Sequence, residues 1–464
     1  MIKTLLRFGH ALVAALALGA GGAGAMVDGI TGPTFNLTAK ADYVTAGDGG
    51  SLLAWGYAAD DRGPFPGVMQ YPGPTLIVNE GDTVTIHLRN TLPMPVSIVF
   101  PGQSGVSAAG GSAGQLTQEA LVADDAGTPV DESVVTYTFT ASEPGTYQYH
   151  SGTRSDLQVE MGLVGAIIVR PTGFNESTNR TAYGHAGSAY DHEYLFLLTE
   201  MDAKVHDQVA FNMLTGQAPS TGVDSSKFFP VYWFINGRAA PDTMFADHAP
   251  WLQTQPYGAM PRMHPGERLL MRVIGGGRDL HPFHHHGNNT WTIARDGRLL
   301  ESAAGAGPDL AVSDFTLKVV PGSTYDAIFE WTGKGLGWDI YGTGQEYAHT
   351  CNGVPLSQPQ TPQAALAPEY DPVTKEYCAD HGKPLPVALP NQQDLAFGGF
   401  WSGSPYLGAA GALPPGQGGL NANAGYFHMW HSHTEKEITN NDIFPGGMMT
   451  MVVIEPRVEG VTIP

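Results

Sequence analysis

The sequence is poor in cysteine and in positive charge. It has 2 cysteines among 464 residues, so it is not a small scaffold held together by disulfides. Its 23 lysine and arginine residues are outnumbered by 44 aspartate and glutamate residues, which gives a formal net charge of -21. Because nucleic acids and many membrane surfaces are themselves anionic, this charge argues against both as partners. The length exceeds what one hydrophobic core usually organises, so two domains are expected.

Long hydrophobic runs are also missing, since a helix that spans a bilayer needs about 20 apolar residues. The strongest run is Ala11–Leu18, which follows two positively charged residues and precedes the small residues Ala23–Ala25. This order predicts a cleaved signal peptide at residues 1–25. A membrane anchor is the alternative, and the short apolar core argues against it. The sequence therefore predicts an exported protein, periplasmic or extracellular, without membrane insertion.

The two cysteines, Cys351 and Cys378, lie in the same loop-like stretch. In an exported chain such a pair is expected to form a disulfide. A pair of thiolate metal ligands is the alternative, and a reducing compartment would favour it.

Turn-forming residues are plentiful, with 60 glycines and 35 prolines. Apolar and polar residues alternate in short runs such as 84–88 and 135–139. Alternation with period two is typical of half-buried strands. Many short strands joined by turns predict an all-β fold built from sandwiches.

An internal repeat organises these strands. Glu80-Gly81-Asp82 precedes one apolar run and Pro265-Gly266-Glu267 precedes another, and eighteen residues beyond the two glycines lie Val99 and His284. Further along, the segment 145–152 corresponds to 425–433. The repeat predicts two copies of one domain.

The predicted domains are residues 26–175 and residues 185–464. The second copy carries a Gly, Pro and Gln-rich insertion at about 337–423, which includes both cysteines. A long irregular segment of this kind is typical of a lid or a contact surface, and disorder is the alternative.

Histidines occur in pairs at the repeated positions. Residues two apart in a strand face the same way, so His284 and His286 are expected on one side of a sheet, and likewise His431 and His433. Imidazole suits copper, zinc and iron, and strands hold such pairs at fixed separation. The two pairs predict a metal site, whereas His285 and His428 fall outside the pattern.

The motifs around these pairs resemble those of the multicopper oxidases. His281-Pro282-Phe283-His284-His285-His286-Gly287 is similar to the family's His-Pro-x-His-x-His-Gly, and His431-Ser432-His433 is similar to its His-Cys-His. Tyr149-His150-Ser151-Gly152 resembles Tyr-His-Ser-His. The resemblance covers most of the chain and implies two cupredoxin-like Greek-key β-sandwich domains, with the insertion in the second.

The chain departs from the family pattern at several ligand positions. Val99, Pro101 and Gly152 stand where the resemblance places cluster histidines. Ser432 stands where the family has the cysteine of its blue, type 1 copper, and Glu437 where that copper has a second histidine. A serine hydroxyl is a hard ligand that cannot replace a thiolate, so neither a blue copper nor ordinary laccase activity is expected.

Five histidines remain for the copper cluster that the resemblance implies: His150, His284, His286, His431 and His433. They are enough for one copper ion, and a second ion would need water or a carboxylate as well. His281 and Glu437 form a possible second metal site. The alternative is that His281 only makes hydrogen bonds to Ser432 or to the backbone.

Three functions follow from these observations. The first is a copper-dependent oxidoreductase that uses the reduced cluster directly, with an unknown substrate or electron donor. The second is a copper-binding or sequestration protein without catalysis, and the third is a cupredoxin scaffold for protein interaction. The resemblance to two-domain relatives also implies a homotrimer, in which His150 of one subunit meets the second-domain histidines of another.

Overall fold

The computed structural model describes most of the chain outside the first 25 residues and the insertion. The described residues are 26–123, 130–341, 350–351, 354–355, 370–371, 373, 375–384, 402–404 and 425–457. The predicted signal peptide and most of the predicted insertion at about 337–423 lie outside these ranges. The boundaries 26–175 and 185–464 stay predictions.

The predicted all-β fold is confirmed, and the first half of the chain forms one sandwich. In spatial order, its five-stranded sheet contains Ser51–Ala59, Thr34–Thr45, Thr83–Asn90, Val134–Thr140 and Ser107–Gly110. Its four-stranded sheet contains Ile30–Thr31, Leu76–Asn79, Val164–Arg170 and Gly145–His150. The alternating apolar residues of both sheets meet in one core, in which Trp55 and Tyr137 are fully buried.

The second half forms a similar sandwich. Its larger sheet contains Tyr232–Ile235, His192–Met201, Arg268–Gly275, Thr324–Glu330, Thr290–Arg295 and Arg298–Leu299, with Val312–Asp314 also paired to Thr290–Arg295. The facing sheet contains Arg262–Met263, Met449–Ile454, Tyr426–Ser432, His281–His285 and Thr316–Val319, with Gly403–Ser404 paired to Tyr426–Ser432. The core between them is rich in aromatic residues, including Trp331 and Trp430.

Small elements complete the described structure. Two short hairpins pair Ser112–Ala113 with Gln118–Glu119 and Thr350–Cys351 with Val354–Pro355. The α-helices are Ser155–Gln158 and Ala203–Leu214, and 3-10 turns occur at Val130–Ser133, Ala186–Ser188, Asp242–Met244 and Glu435–Ile438. Within the part of the chain that the structure describes, no helix is long and apolar enough to cross a membrane.

The two sandwiches repeat the same strand arrangement. Gly81 and Gly266 occupy equivalent turns with φ of +90° and +82°, a conformation that glycine adopts without steric cost. The strand after each turn pairs in parallel with an earlier strand and antiparallel with a later one. The repeated phrase in the sequence therefore marks the same turn of the same fold.

A third apolar cluster and a buried ionic group join the sandwiches. The cluster combines residues of both halves, such as Ile168 and Phe234. The carboxylate of Glu193 lies between the guanidinium groups of Arg170 and Arg272, and its Oε2 atom is 2.8 Å from both Arg170 Nη1 and Arg272 Nε. Each of these side chains is at most 5% exposed, so the charges are neutralised by one another rather than by water.

This ionic group makes stability depend on pH in the acid range. Burial alone would raise the pKa of Glu193, but Arg170 and Arg272 outweigh it and lower the pKa from 4.5 to about 2. Because the folded pKa lies below the unfolded one, the stabilisation is complete above pH 4.5 and is lost as the pH falls toward 2. Urea unfolding between pH 6 and pH 2 will show this loss, and Glu193→Gln will show lower stability with a weaker acid dependence. An unchanged acid slope in Glu193→Gln would contradict the assignment.

Candidate metal centre

The paired histidines lie on neighbouring antiparallel strands of the second sandwich. His284 is directly opposite His431, and His285 is directly opposite Trp430. Because side chains alternate along a strand, His284 and His431 share one face of the sheet, and His285 and Trp430 share the face toward the core. His286 follows at the end of its strand, and its ring contacts that of His284 at a centroid distance of 4.7 Å.

Three imidazoles converge on the face away from the core. His284, His286 and His431 each offer one nitrogen, and these nitrogens lie within 4.8 Å of one another. The Nε2 atoms of His286 and His431 are 3.2 Å apart. The buried Nε2 of His284 has no hydrogen-bond partner among the described residues. A buried nitrogen without a partner, beside two others, is what a metal ion satisfies, so these residues fit the metal that the sequence predicted.

The other ring nitrogens are fixed by backbone oxygens. His286 Nδ1 lies 2.7 Å from the carbonyl oxygen of Ser402, and His431 Nδ1 lies 2.7 Å from the carbonyl oxygen of Ser432. A carbonyl only accepts hydrogen bonds, so both histidines carry their proton on Nδ1 and present the Nε2 lone pair to the centre. Metal-binding histidines are usually oriented in this way.

Two outer partners of the centre were missed from the sequence. Ser402 lies in the insertion, and Thr316 Oγ1 lies 2.8 Å from His284 Nδ1. Thr316 is directly opposite His284 on the adjacent strand. A strand pairing derived from the repeat would have found Thr316, whereas no pattern near Ser402 marks it.

The environment keeps these imidazoles neutral. Burial is the main reason why the pKa of His284 falls to about 3, and the neighbouring histidines lower it further. Burial likewise lowers the pKa of His431 to about 4 and also lowers that of His286. Neutral imidazole is the form that binds metal, so at pH 7 no proton has to leave.

In the described part of the chain, the other two predicted cluster histidines, His150 and His433, are not among the three whose nitrogens converge. The His433 ring lies 4.9 Å from that of His284 between centroids, but its side chain is 47% exposed. His150 belongs to the first sandwich, and within the described chain it is not among the residues that converge. Its Nδ1 lies 2.9 Å from the Ser151 carbonyl, so its Nε2 is prepared in the same way as in His286 and His431.

His281 and Glu437 are in contact, as a second site would require, but a further acid joins them. His281 Nδ1 lies 2.8 Å from Glu437, and His281 Nε2 lies 2.9 Å from Glu200. Ser432 donates its hydroxyl to the same oxygen of Glu437. Sequence reasoning missed Glu200, which is 81 residues away from His281 in the chain. Both ring nitrogens of His281 are thus engaged by carboxylates.

Two of the first-sandwich positions that lack histidine, Val99 and Gly152, pack tightly against each other. His150 pairs with Val99 across an isolated β-bridge. A Cβ atom placed on Gly152 would lie 2.7 Å from Cγ1 of Val99 and 3.1 Å from Oγ of Ser97. Val99 therefore fills the space that any side chain at position 152 would need.

Substituting Gly152 tests this packing. Gly152→Ala will destabilise the protein by about 1–3 kcal/mol, the usual cost of overpacking a core. In a Val99→Ala background the same substitution will cost less, because the clashing methyl group is gone. Urea unfolding of both pairs of proteins measures the difference. Equal costs in both backgrounds would contradict the packing explanation.

The remaining cysteine and histidine predictions concern structure. Cys351 and Cys378 are joined by a disulfide, which leaves neither as a thiolate ligand. His285 and His428 are fully buried on the core face, and none of their four ring nitrogens has a hydrogen-bond partner in the described residues. Burial holds the pKa of both imidazoles well below the usual value.

Comparison with known proteins identifies proteins that are similar in sequence to this chain. Residues 68–173 match the multicopper oxidase family model. A probable nitrite reductase-hydroxylamine oxidoreductase fusion protein of Kuenenia stuttgartiensis is 26% identical over 310 residues, which cover 65% of this chain and 28% of that protein. Copper resistance protein A of Escherichia coli is 26% identical over 291 residues, or 57% of this chain and 42% of that protein. The chain thus spans less than half the length of these relatives.

Solved structures share the fold. A blue copper oxidase from Nitrosomonas europaea superposes with a TM-score of 0.50 at 18% identity, covering 92% of this chain and 85% of that chain. The multicopper oxidase mgLAC gives a TM-score of 0.51 at 17% identity, covering 95% and 88%. The two sandwiches are therefore cupredoxin-like.

Proposed function

We propose that this chain is an exported copper-dependent oxidoreductase without a blue copper. Its membership of the multicopper oxidase superfamily supports this proposal. Members of the superfamily bind copper, and His284, His286 and His431 would hold it here. Bound copper would accept and release single electrons, which is the chemistry that the side chains lack. The observation that carries the proposal is the convergence of three neutral imidazoles, of which His286 and His431 present their Nε2 lone pairs to the centre.

The protein's own residues would set how this centre works. The carbonyls of Ser402 and Ser432 hold the Nδ1 protons, so His286 and His431 stay in the tautomer that binds metal. Ser432 offers only a hydroxyl, and that hydroxyl is committed to Glu437. An electron donor would therefore have to deliver electrons to the histidine centre itself.

The number of copper ions follows from the ligands available. Three imidazoles within one chain suit one copper ion, with His433 or water as a further ligand. A second ion would need more ligands, and His150 is the histidine prepared to supply one. We propose that the chain forms a homotrimer, in which His150 reaches the histidine centre of a neighbouring copy.

Subunit mixing tests the homotrimer. His150→Ala protein will keep the first copper and lack the second, whereas His431→Ala protein will bind copper weakly. Mixing and reassembling the two will restore some centres that hold both ions, because some centres then receive both wild-type residues. A monomeric mass at micromolar concentration, or no recovery on mixing, would exclude a shared centre.

Anaerobic reduction tests the proposed oxidoreductase function. Copper-loaded protein will lose its Cu(II) paramagnetic-resonance signal when a hydroquinone is added without oxygen, and the signal will return on aeration. The hydroquinone is oxidised as copper takes up its electrons. If the copper stays bound but does not change oxidation state with hydroquinone, ferrous ion or ascorbate, the protein is a copper-binding protein without catalysis.

A further inference from the structure

A closed group of charged side chains lies beneath the histidine centre, on the core side of the same strands. His281 begins the strand His281–His285, and its side chain is fully buried between Glu200 and Glu437. Glu200 also accepts hydrogen bonds from the backbone nitrogens of Arg278 and Asp279. The described neighbours therefore satisfy both carboxylates as well as the imidazole.

The hydrogen bonds define the charge of His281. Each ring nitrogen faces a carboxylate oxygen, at 2.8 Å for Nδ1 and 2.9 Å for Nε2, so both nitrogens donate and the ring is a cation. Burial alone would lower the pKa of His281, but the bonds to Glu200 and Glu437 outweigh it and raise the pKa to about 9. A nitrogen that carries a proton has no lone pair for a metal.

The same group connects both strands of the histidine centre. Ser432, which donates to Glu437, lies between His431 and His433, and its own carbonyl fixes Nδ1 of His431. The backbone nitrogen of His433 donates to the carbonyl of Pro282, next to His281. The charged group is therefore tied to both strands that carry the converging histidines.

We infer that Glu200, His281 and Glu437 form a metal-free charge clamp that positions the histidine centre, with His281 as the cation in place of a second metal ion. The two glutamates and His281 are positioning residues, since they act on the centre through Ser432 and Pro282. The positioning role rests on the proposed copper site, whereas the charge of His281 does not.

Nitrogen-15 resonance of the metal-free protein tests the charge directly. With nitrogen-labelled histidine, the imidazole of His281 will show protons on both ring nitrogens at pH 7, and Glu437→Gln will shift these two signals. They will be absent in His281→Gln, which assigns them. A single protonated ring nitrogen on His281 would overturn the clamp.

Copper titration tests the positioning role. Glu437→Gln will weaken copper binding by about 10- to 100-fold, the usual effect of losing an outer partner of a metal ligand. Asp442→Asn makes the same carboxylate-to-amide change at an exposed position of the same loop and will leave the affinity unchanged. Ser432→Ala removes the hydrogen bond from Ser432 to Glu437 but keeps the ion pair between His281 and Glu437. It will also weaken copper binding, and it replaces Glu437→Gln as the test if that variant does not fold. Unchanged affinity in a folded Glu437→Gln or Ser432→Ala protein would remove the positioning role.

A triple variant separates the clamp from a second metal site. His284→Ala/His286→Ala/His431→Ala will bind no copper if the clamp is metal-free. One retained copper that is lost on adding His281→Gln would overturn the inference and make His281 a ligand. A wild-type protein that binds no copper would instead overturn the proposed function and the positioning role together, while the nitrogen signals still decide the charge of His281.

Discussion

Replacing His284 and His286 together by alanine will abolish tight copper binding. The two substitutions remove two of the three converging imidazoles, including the buried Nε2 atom that lacks a partner among the described residues. The affinity loss will exceed the roughly 10- to 100-fold effect of losing an outer partner, because ligands themselves are removed. Copper titration followed by paramagnetic resonance measures both affinity and the nitrogen ligands.

The matched control uses histidines on the opposite face of the same strands. His285→Leu/His428→Leu replaces two fully buried imidazoles that have no hydrogen-bond partners in the described structure. Such a change loses no hydrogen bond, so stability will be kept or increased and copper binding retained. Equal copper loss in both double variants would mean that the strands, rather than the ligands, had been disturbed.

Among the substitutions whose effect on stability is predicted here, Arg272→Ala will produce the largest loss. The guanidinium of Arg272 is fully buried and bonds to Glu193 and to Thr146 Oγ1, at 2.8 Å and 2.9 Å. Its removal leaves a buried carboxylate short of a partner, which typically costs about 3–5 kcal/mol. Urea unfolding measures the change, provided that the variant accumulates in folded form.

Arg268→Ala is the control for this prediction, because Arg268 begins the same strand. Its ion pair with Glu330 lies at the surface, where Glu330 is 48% exposed, and such pairs contribute about 0–1 kcal/mol. Similar losses for Arg268→Ala and Arg272→Ala would show that the buried ionic group is no more important than a surface pair.

The parts of the molecule that the sequence predicted are those set by local periodicity. Alternation in the runs at 84–88 and 135–139 predicted strands, and the repeated glycine turns predicted two similar sandwiches. The same period places His284 and His286 on one face, which the structure shows. Each of these inferences depends on residues within a few positions of one another.

The contacts that could not be predicted from the sequence join residues that are far apart in the chain. Glu200 reaches His281 across 81 residues, and Ser402 reaches His286 across 116. A glutamate on a strand carries no local signal that it will meet a particular histidine. Sequence reasoning paired His281 with Glu437 from family spacing alone, so it could not see that a second carboxylate occupies the remaining ring nitrogen.

The helix Ala203–Leu214 carries local signals that the sequence prediction missed. Asp202 caps it by accepting from the backbone nitrogen of Lys204, and Val205 and Val209 bury one face at helical spacing. A capping aspartate followed by apolar residues four apart is a recognisable helix start. This helix could therefore have been predicted from the sequence, unlike the contacts of Glu200 and Ser402.

The copper content per chain tests the histidine centre most directly, together with the visible and paramagnetic-resonance spectra of the copper-loaded protein. We expect bound copper with nitrogen ligands and no blue absorption band. Protein that stays free of copper after loading would contradict the histidine centre. An intense blue band would contradict the metal-free clamp, because it would require a sulfur-ligated copper that Ser432 cannot provide.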